Sequence, residues 1–155
     1  AGAPVSPGRA VGFLCNQKIL LAWIPQESRH TSEYINDPIW QQTITSAGEE
    51  AVNILQQGDW NHEKWPQLLQ CSEEFSTASG MLEEPVRNAF LNNAQQEITR
   101  LGFDEIMSTR LCMLGVSLCV LPKKLSKPLA IEQLEQLAQQ LREKGMGAKI
   151  TSIDS

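Results

Sequence analysis

The stretch Met107 to Pro122, MSTRLCMLGVSLCVLP, is the most continuously apolar run of this sequence. It carries no charge after Arg110, and two lysines follow it. A short apolar run with such boundaries is typical of buried strand. Gly115, near the middle, favours a bend or bulge, so we predict either one strand or two short ones. The stretch therefore marks the core of the fold.

This run contains two of the four cysteines, Cys112 and Cys119, which would lie on opposite faces of a single continuous strand. With Cys15 and Cys71 they form no Cys-x-x-Cys pair, which argues against a zinc or thioredoxin-like centre. All four lie in apolar surroundings, so we expect buried, reduced thiols and a cytoplasmic protein. The even count keeps two disulfides in a secreted or periplasmic protein as the alternative.

The chain before this run begins with Ala1 to Arg9, rich in proline and glycine, which we expect to be extended or loosely ordered. Two apolar segments follow, Ala10 to Cys15 and Lys18 to Ile24, separated by Asn16-Gln17. Their spacing predicts a β-hairpin.

Four helices are predicted from apolar residues at helical spacing, from a proline in the first turn of three of them, and from a glycine after each. Asp37 provides an N-cap for the first. A last strand is predicted from Ala148 to Ile153. The predicted helices begin at Pro38, Trp65, Pro85 and Ile131 and end before Gly58, Gly80, Gly102 and Gly145.

The predicted element order is β-β-α-α-α-β(β)-α-β, which is typical of the α+β class. We expect an antiparallel or mixed sheet of about four strands with helices packed on one face. Its last β-α-β segment should form a right-handed crossover. At 155 residues, the whole chain, 1–155, is predicted to be one globular domain.

Charge and hydropathy exclude two classes of partner. The formal net charge is −5 and the isoelectric point is about 5.0, so the basic field that attracts nucleic acid is missing. No apolar stretch reaches the roughly 18 residues that a membrane span needs. We therefore predict neither nucleic-acid binding nor membrane insertion.

The most unusual local composition is Trp60 to Trp65, two indoles around Asn-His-Glu-Lys. The candidate binding residues here are Trp60, His62 and Trp65, because tryptophan offers a large rigid face to a ligand or partner protein. In the alternative interpretation, both rings fill the junction between two helices as core.

A second candidate site is the polar segment before Tyr34, where Arg29 and His30 stand among carboxylates and hydroxyls. An exposed imidazole in such a loop suits acid, base or ligand chemistry. The segment has no motif spacing, and the sequence contains no Ser-His-Asp elbow, no His-Glu-x-x-His and no calcium loop. We therefore predict no catalytic residue, metal or cofactor.

The order of an apolar strand, a polar segment with His30-Thr31-Ser32, several helices, an apolar β pair, a helix and a final strand resembles the C-terminal half of the GHMP family of small-molecule kinases. Met107-Ser108-Thr109-Arg110 stands where that family has a glycine-rich turn, and nothing in this sequence corresponds to its phosphate-binding half. The resemblance therefore implies small-molecule binding and not phosphoryl transfer.

Together these features favour a non-enzymatic protein-binding or accessory domain, whose partner is a second copy or another protein. The alternative is a small-molecule-binding enzyme or enzyme subunit, with the loop before Tyr34 as its site. A concave pocket that joins His30 or His62 to a second polar group would favour the enzyme.

Overall fold

A computed structural model of the chain describes residues 12–24, 36–112 and 116–153. This part contains four α-helices and four β-strands, with one-turn 3₁₀ helices at His62–Lys64 and Met81–Glu83. The elements are β1 Gln17–Trp23, α1 Pro38–Leu55, α2 Trp65–Ala78, α3 Pro85–Arg100, β2 Met107–Leu111, β3 Ser117–Pro122, α4 Ile131–Glu143 and β4 Gly147–Ile153.

The four strands form one antiparallel sheet in the order β2-β3-β1-β4. Leu20 in β1 lies opposite Val120 of β3 on one side and Ile150 of β4 on the other. Because β3 and β4 are both antiparallel to β1, they run parallel to each other, and α4 connects them across β1. The topology is therefore the split β-α-β, or ferredoxin-like, arrangement, and the described part of its first connection contains three α-helices.

The predicted α+β class and four-stranded sheet are confirmed. The central apolar run forms two strands, with Met107 opposite Pro122 and Leu111 opposite Leu118. Of the two alternatives, two short strands are therefore confirmed, and Cys112 and Cys119 lie on the two arms of the hairpin that β2 and β3 form.

The first predicted strand differs from the structure. Ala10 to Cys15 is described from Gly12 onward, and this part is irregular. The strand that follows, β1, is central, because β3 and β4 occupy its two sides. No edge of β1 is left for a hairpin partner, and Phe13 and Cys15 pack against Trp65 instead.

The main core lies between one face of the sheet and two helices, α3 and α4. Alternation along the strands places Leu20, Leu118 and Val120 on this face, and all three are fully buried. The helices cover them with Phe90, Ala94 and Ile98 of α3 and Leu134, Leu137 and Leu141 of α4. Area-based burial of side chains of this size contributes roughly 1.5–3 kcal/mol each, so this layer is the principal source of stability.

A buried carboxylate joins α3 to α4 at the edge of that layer. Glu97 of α3 is buried, and its Oε1 lies 2.7 Å from Nζ of Lys144, just past the end of α4. Arg100 pairs with the other oxygen and donates a hydrogen bond of 2.6 Å to Gln140. The hydrogen bond from Lys144 is the main reason that the pKa of Glu97 is lowered; burial opposes this effect, and Arg100 adds to it.

Helix α2 packs beside β2 and forms a second, smaller core. Trp65 and Leu69 of α2 contact Cys15, with Leu121 and Ile153 at the margin. Nε of Arg110 in β2 donates a hydrogen bond of 2.9 Å to the carbonyl of Leu69. This helix therefore covers the end of the sheet at which β3 and β4 finish.

Helix α1 lies outermost and packs on α2. The Asp37 carboxylate caps its N-terminus by accepting a hydrogen bond of 2.9 Å from the Ile39 amide. The Trp40 ring lies against Gly80, whose φ of 80° is in the left-handed region that glycine favours. Ala47 is the buried residue of this helix, and Ile39 and Val52 are exposed.

Candidate functional site

The tryptophan corner, Trp60 to Trp65, is the junction between α1 and α2. Asn61 caps a 3₁₀ turn there by accepting a hydrogen bond of 2.9 Å from the Glu63 amide. Trp65 is buried, and its Nε1–H donates a hydrogen bond of 2.7 Å to the Pro122 carbonyl. Trp60 is half-buried. The Trp65 indole therefore joins α2 to the end of β3, and the other predicted residues of the corner lie closer to the surface.

Lys64 occupies the centre of this corner and was not among the predicted site residues. It is buried, and its ammonium group donates hydrogen bonds to the carbonyls of Leu55, at 3.0 Å, and Gln57. The same group lies 5.6 Å from the centroid of the Trp60 ring, within cation–π range. A cation at this position neutralises the carbonyl end of α1.

His62 is exposed at the surface of the corner. Its Nε2 lies 2.6 Å from the carbonyl oxygen of Leu14, so the tautomer protonated at Nε2 donates a hydrogen bond there. The Phe13 ring meets the imidazole edge to face, with centroids 5.6 Å apart. His62 therefore connects the segment before β1 to the corner through its contacts with Leu14 and Phe13.

Three other predicted site residues, Arg29, His30 and Tyr34, lie outside the described residues. That these three residues contribute to a binding site stays a prediction. The corner brings Trp60, His62 and Trp65 together within one turn, as the sequence spacing requires.

The outer face of the sheet, opposite α3 and α4, carries a second group of candidate residues. At one end of this face the Trp23 side chain is 42% exposed, beside half-buried Leu21 and exposed Lys149. Trp23 lies opposite Gly147 in the register, and a Cβ atom at residue 147 would overlap the indole. Glycine therefore lets the ring lie close against the backbone of β4. We call Leu21, Trp23 and Lys149 the indole patch.

The strands carry a net positive charge, whereas the chain as a whole is negative. The four strands that the structure describes contain Lys18, Arg110 and Lys149 and no acidic residue, whereas the formal net charge of the chain is −5. Glu73 of α2 lies 3.4 Å from Arg110, whereas Lys149 is exposed beside Leu21. The indole patch therefore combines an aromatic surface with a positive charge.

Cys112 and Cys119 lie on the same outer face, at the end of the β2–β3 hairpin. Cys119 is directly opposite Arg110, and Cys112 is the next residue of β2's outer face, diagonal to Cys119. The two thiols are hydrogen-bonded to each other. Cys15 and Cys71 are buried as predicted, but these two are half-buried because the α3–α4 layer covers the other face.

The hydrogen bond between the two thiols shifts their pKa values in opposite directions. It lowers the pKa of Cys112 to about 7; desolvation opposes this shift, and Ser117 assists it. The same hydrogen bond, followed by burial and the charge of Cys112, raises the pKa of Cys119, whereas Arg110 acts to lower it. The hydrogen bond therefore favours the thiolate form of Cys112 and the protonated form of Cys119.

A cavity of about 300 Å³ lies at the edge of the sheet between α2, α3 and β2. Its polar lining includes Gln95 and Thr109, which are hydrogen-bonded to each other at 3.2 Å, and the Arg110 guanidinium. That guanidinium already donates to the Leu69 carbonyl and, at 2.6 Å, to the Thr109 carbonyl. His62 does not line this cavity.

Within residues 12–24, 36–112 and 116–153, no group of three or more His, Cys, Asp or Glu side chains is arranged to hold a metal ion. None of the helices in that described part combines the length and apolarity that a membrane span requires.

Sequence reasoning missed the indole patch and the paired thiols. Trp23 ends an apolar run whose alternation places it on the face opposite Ala22, which is a usable signal. The contacts of Trp23 with Gly147 and of Cys112 with Cys119 depend on strand register, for which the sequence has no local signal.

The chain matches no protein-family model, no curated protein and no solved structure in the three comparisons made.

Proposed function

We propose that this protein is a non-enzymatic protein-binding or accessory domain and that the indole patch is its contact surface. The supporting observation is the exposed Trp23 indole, which lies close against Gly147 beside a half-buried leucine and an exposed lysine. Tryptophan is enriched among the residues that contribute most of the binding energy at protein interfaces, and the rim around such residues is polar.

The partner that fits this patch is a protein segment with an apolar or aromatic anchor and at least one carboxylate. The anchor would stack on Trp23 and contact Leu21, and the carboxylate would face Lys149. Because the described strands carry no acidic residue, the patch does not repel such a segment. The pairing with an exposed lysine affects association rate and salt dependence more than affinity.

A comparison of variants as bait proteins tests this proposal. The wild type, Trp23→Ala and Lys149→Glu are immobilised and exposed to an extract of the cells in which the protein is native. The matched control is Glu132→Lys, which reverses an exposed charge on α4, on the other side of the sheet. We expect one protein to be retained by the wild type and the control and lost from the two patch variants, with retention falling as salt rises.

Retention that is equal on all four baits would contradict the proposal, as would the absence of any protein that distinguishes the wild type from Trp23→Ala. Circular dichroism of each variant, compared with that of the wild type, distinguishes loss of binding from loss of fold.

The cavity between α2, α3 and β2 supports small-molecule binding as a second candidate function. Its volume of about 300 Å³ is at the lower end of ligand sites, and it offers an amide, a hydroxyl and a guanidinium. A ligand found by thermal-shift screening of small polar metabolites should perturb the amide resonances of Gln95 and Thr109. A ligand that perturbs neither would rule out this cavity as its site.

A further inference from the structure

We propose that Cys112 and Cys119 form a redox-active dithiol that reacts with low-molecular-weight disulfides and closes to an intramolecular disulfide. This inference goes beyond the proposed protein binding and does not depend on it. It rests first on geometry: the two half-buried thiols lie on one face of the hairpin, where the hydrogen bond of 2.9 Å from the Cys112 amide to the Ser117 carbonyl makes Cys112 and Cys119 diagonal neighbours.

Cys112 is the attacking residue. A thiolate is the nucleophile in thiol–disulfide exchange, and the best attacking thiol has a pKa near the ambient pH. Hydrogen bonds from Cys119 and Ser117 place Cys112 in that range, with a pKa of about 7. The charged groups around the pair are Arg110 on β2, Glu73 on α2, which pairs with Arg110, and Lys149 on β4. Arg110 lies directly opposite Cys119 and acts to lower the pKa of Cys119.

In the first step the Cys112 thiolate attacks one sulfur of a disulfide RSSR. The S–S bond of RSSR breaks, a mixed disulfide forms between Cys112 and one RS group, and the other leaves as RS⁻, which takes a proton from water. The Cys112 sulfur is then neutral, and it no longer carries the charge that raised the pKa of Cys119.

Cys119 resolves the mixed disulfide. With the negative charge of Cys112 removed, Arg110 directly opposite still acts to lower the pKa of Cys119. Cys119 gives its proton to water, attacks the Cys112 sulfur and expels the second RS⁻, which is protonated. In sum, two protein thiols are oxidised to one disulfide, and one RSSR is reduced to two RSH.

The crosslink requires a backbone movement at the end of the hairpin. Diagonal neighbours in an antiparallel pair have Cα atoms roughly 7–8 Å apart, slightly more than a relaxed disulfide spans. Cys112 follows Leu111, the last residue of β2, and its amide donates a hydrogen bond of 2.9 Å to the Ser117 carbonyl. Closing the disulfide must therefore shift Cys112 against this hydrogen bond, and the resulting strain makes the disulfide easy to reduce.

The test is to incubate the reduced protein with oxidised glutathione at neutral pH, quench it with acid, alkylate the remaining thiols and map the tryptic peptides by mass. Trypsin cuts after Arg110 and Lys123, so one peptide carries both cysteines. We expect that peptide to lose two hydrogens, and Cys15 and Cys71 to be alkylated only after unfolding. We expect a reductant to restore both thiols.

Two variants assign the roles. Cys119→Ala should stop at the glutathione mixed disulfide on Cys112, and its Cys112 should alkylate with a midpoint pH above the value of about 7 expected for the wild type. Cys71→Ala should behave as the wild type. An unmodified 111–123 peptide, modification of Cys15 or Cys71 in its place, or a mixed disulfide that persists in the wild type would overturn the proposal. If Cys119→Ala does not fold, the peptide map of the wild type is sufficient to test the proposal.

Discussion

Glu97 shows how one buried carboxylate connects two helices. Its lowered pKa means that the unfolded chain, where a glutamate titrates near about 4.3, binds the proton more tightly than the folded protein. The stabilisation is therefore complete above the unfolded pKa and is lost as the pH falls through the folded value.

We predict that Glu97→Gln lowers the free energy of unfolding by about 2 kcal/mol at pH 7 because charge-assisted hydrogen bonds to Lys144 and Arg100 are lost. The difference from the wild type should shrink below about pH 4, where the wild-type carboxylate also takes up a proton. Urea unfolding across this pH range measures it. Glu105→Gln, at an exposed turn position, is the control. A difference that does not vary with pH would contradict the assignment.

Trp65 combines an apolar ring with a hydrogen bond that phenylalanine cannot make. Trp65→Phe leaves the Pro122 carbonyl without this donor and leaves space in the smaller core, so we predict a loss of about 2–3 kcal/mol. The same change at partly exposed Trp23 should cost less than about 1 kcal/mol. Chemical denaturation of both variants gives the comparison, and equal losses would show that the hydrogen bond to Pro122 contributes nothing.

The indole patch depends on the missing Cβ of Gly147. In Gly147→Ala the new methyl group overlaps the Trp23 ring, so the ring must turn away from β4. With fluorotryptophan incorporated, we expect the ¹⁹F resonance of Trp23, assigned from Trp23→Phe, to shift while those of the other three tryptophans stay in place. An unchanged Trp23 resonance would contradict the packing described here.

The last turn of helix α1 is stabilised by the side chain of Lys64, which lies outside the helix. Lys64→Met keeps much of the apolar stem of Lys64 but removes the ammonium donors from the carbonyls of Leu55 and Gln57. We predict a loss of about 1–2 kcal/mol and faster amide exchange in the last turn of α1, measured by hydrogen exchange. Lys127→Met, at an exposed position, should change neither. Uniformly faster exchange along the whole chain would argue against this local role.

The helices could be predicted because their signals are local. Asp37-Pro38 begins α1 and a left-handed glycine follows the end of α2, so each boundary depends on a few adjacent residues. The proposed N-terminal hairpin failed because strand pairing is not local. The neighbours of β1 come from β3 and β4, about a hundred residues later, and they leave no room for an adjacent partner.

The candidate site residues show the same difference between local and non-local signals. Trp60, His62 and Trp65 are adjacent in sequence and could be recognised by composition. The proximity of Trp23 to Gly147 depends on the register of β1 with β4, and that of Cys112 to Cys119 on the register of β2 with β3. A shift of one residue in either register would separate the corresponding pair. Register is set by burial of the opposite face, which involves the whole core.

In the molecule as a whole, the two faces of the sheet have different roles. One face of the sheet is filled by α3 and α4, and fully buried Leu20, Leu118 and Leu137 meet there. The other face carries the indole patch and the paired thiols, while α2 and the segment before β1 cover its far end. Stability and proposed binding therefore reside on opposite sides of the same strands, so patch variants should remain folded.

Site-specific photo-crosslinking tests the proposed contact surface most directly. A photoreactive phenylalanine analogue is placed at position 151, which follows Lys149 on the same face of β4 and leaves the indole patch intact, or, in a matched protein, at position 132 on the outer surface of α4. We predict that irradiation in the native cells gives one discrete crosslinked protein from position 151, suppressed by excess wild type and not by Lys149→Glu, and none of that species from position 132. The same crosslinked protein from both positions, or none from position 151, would contradict the account.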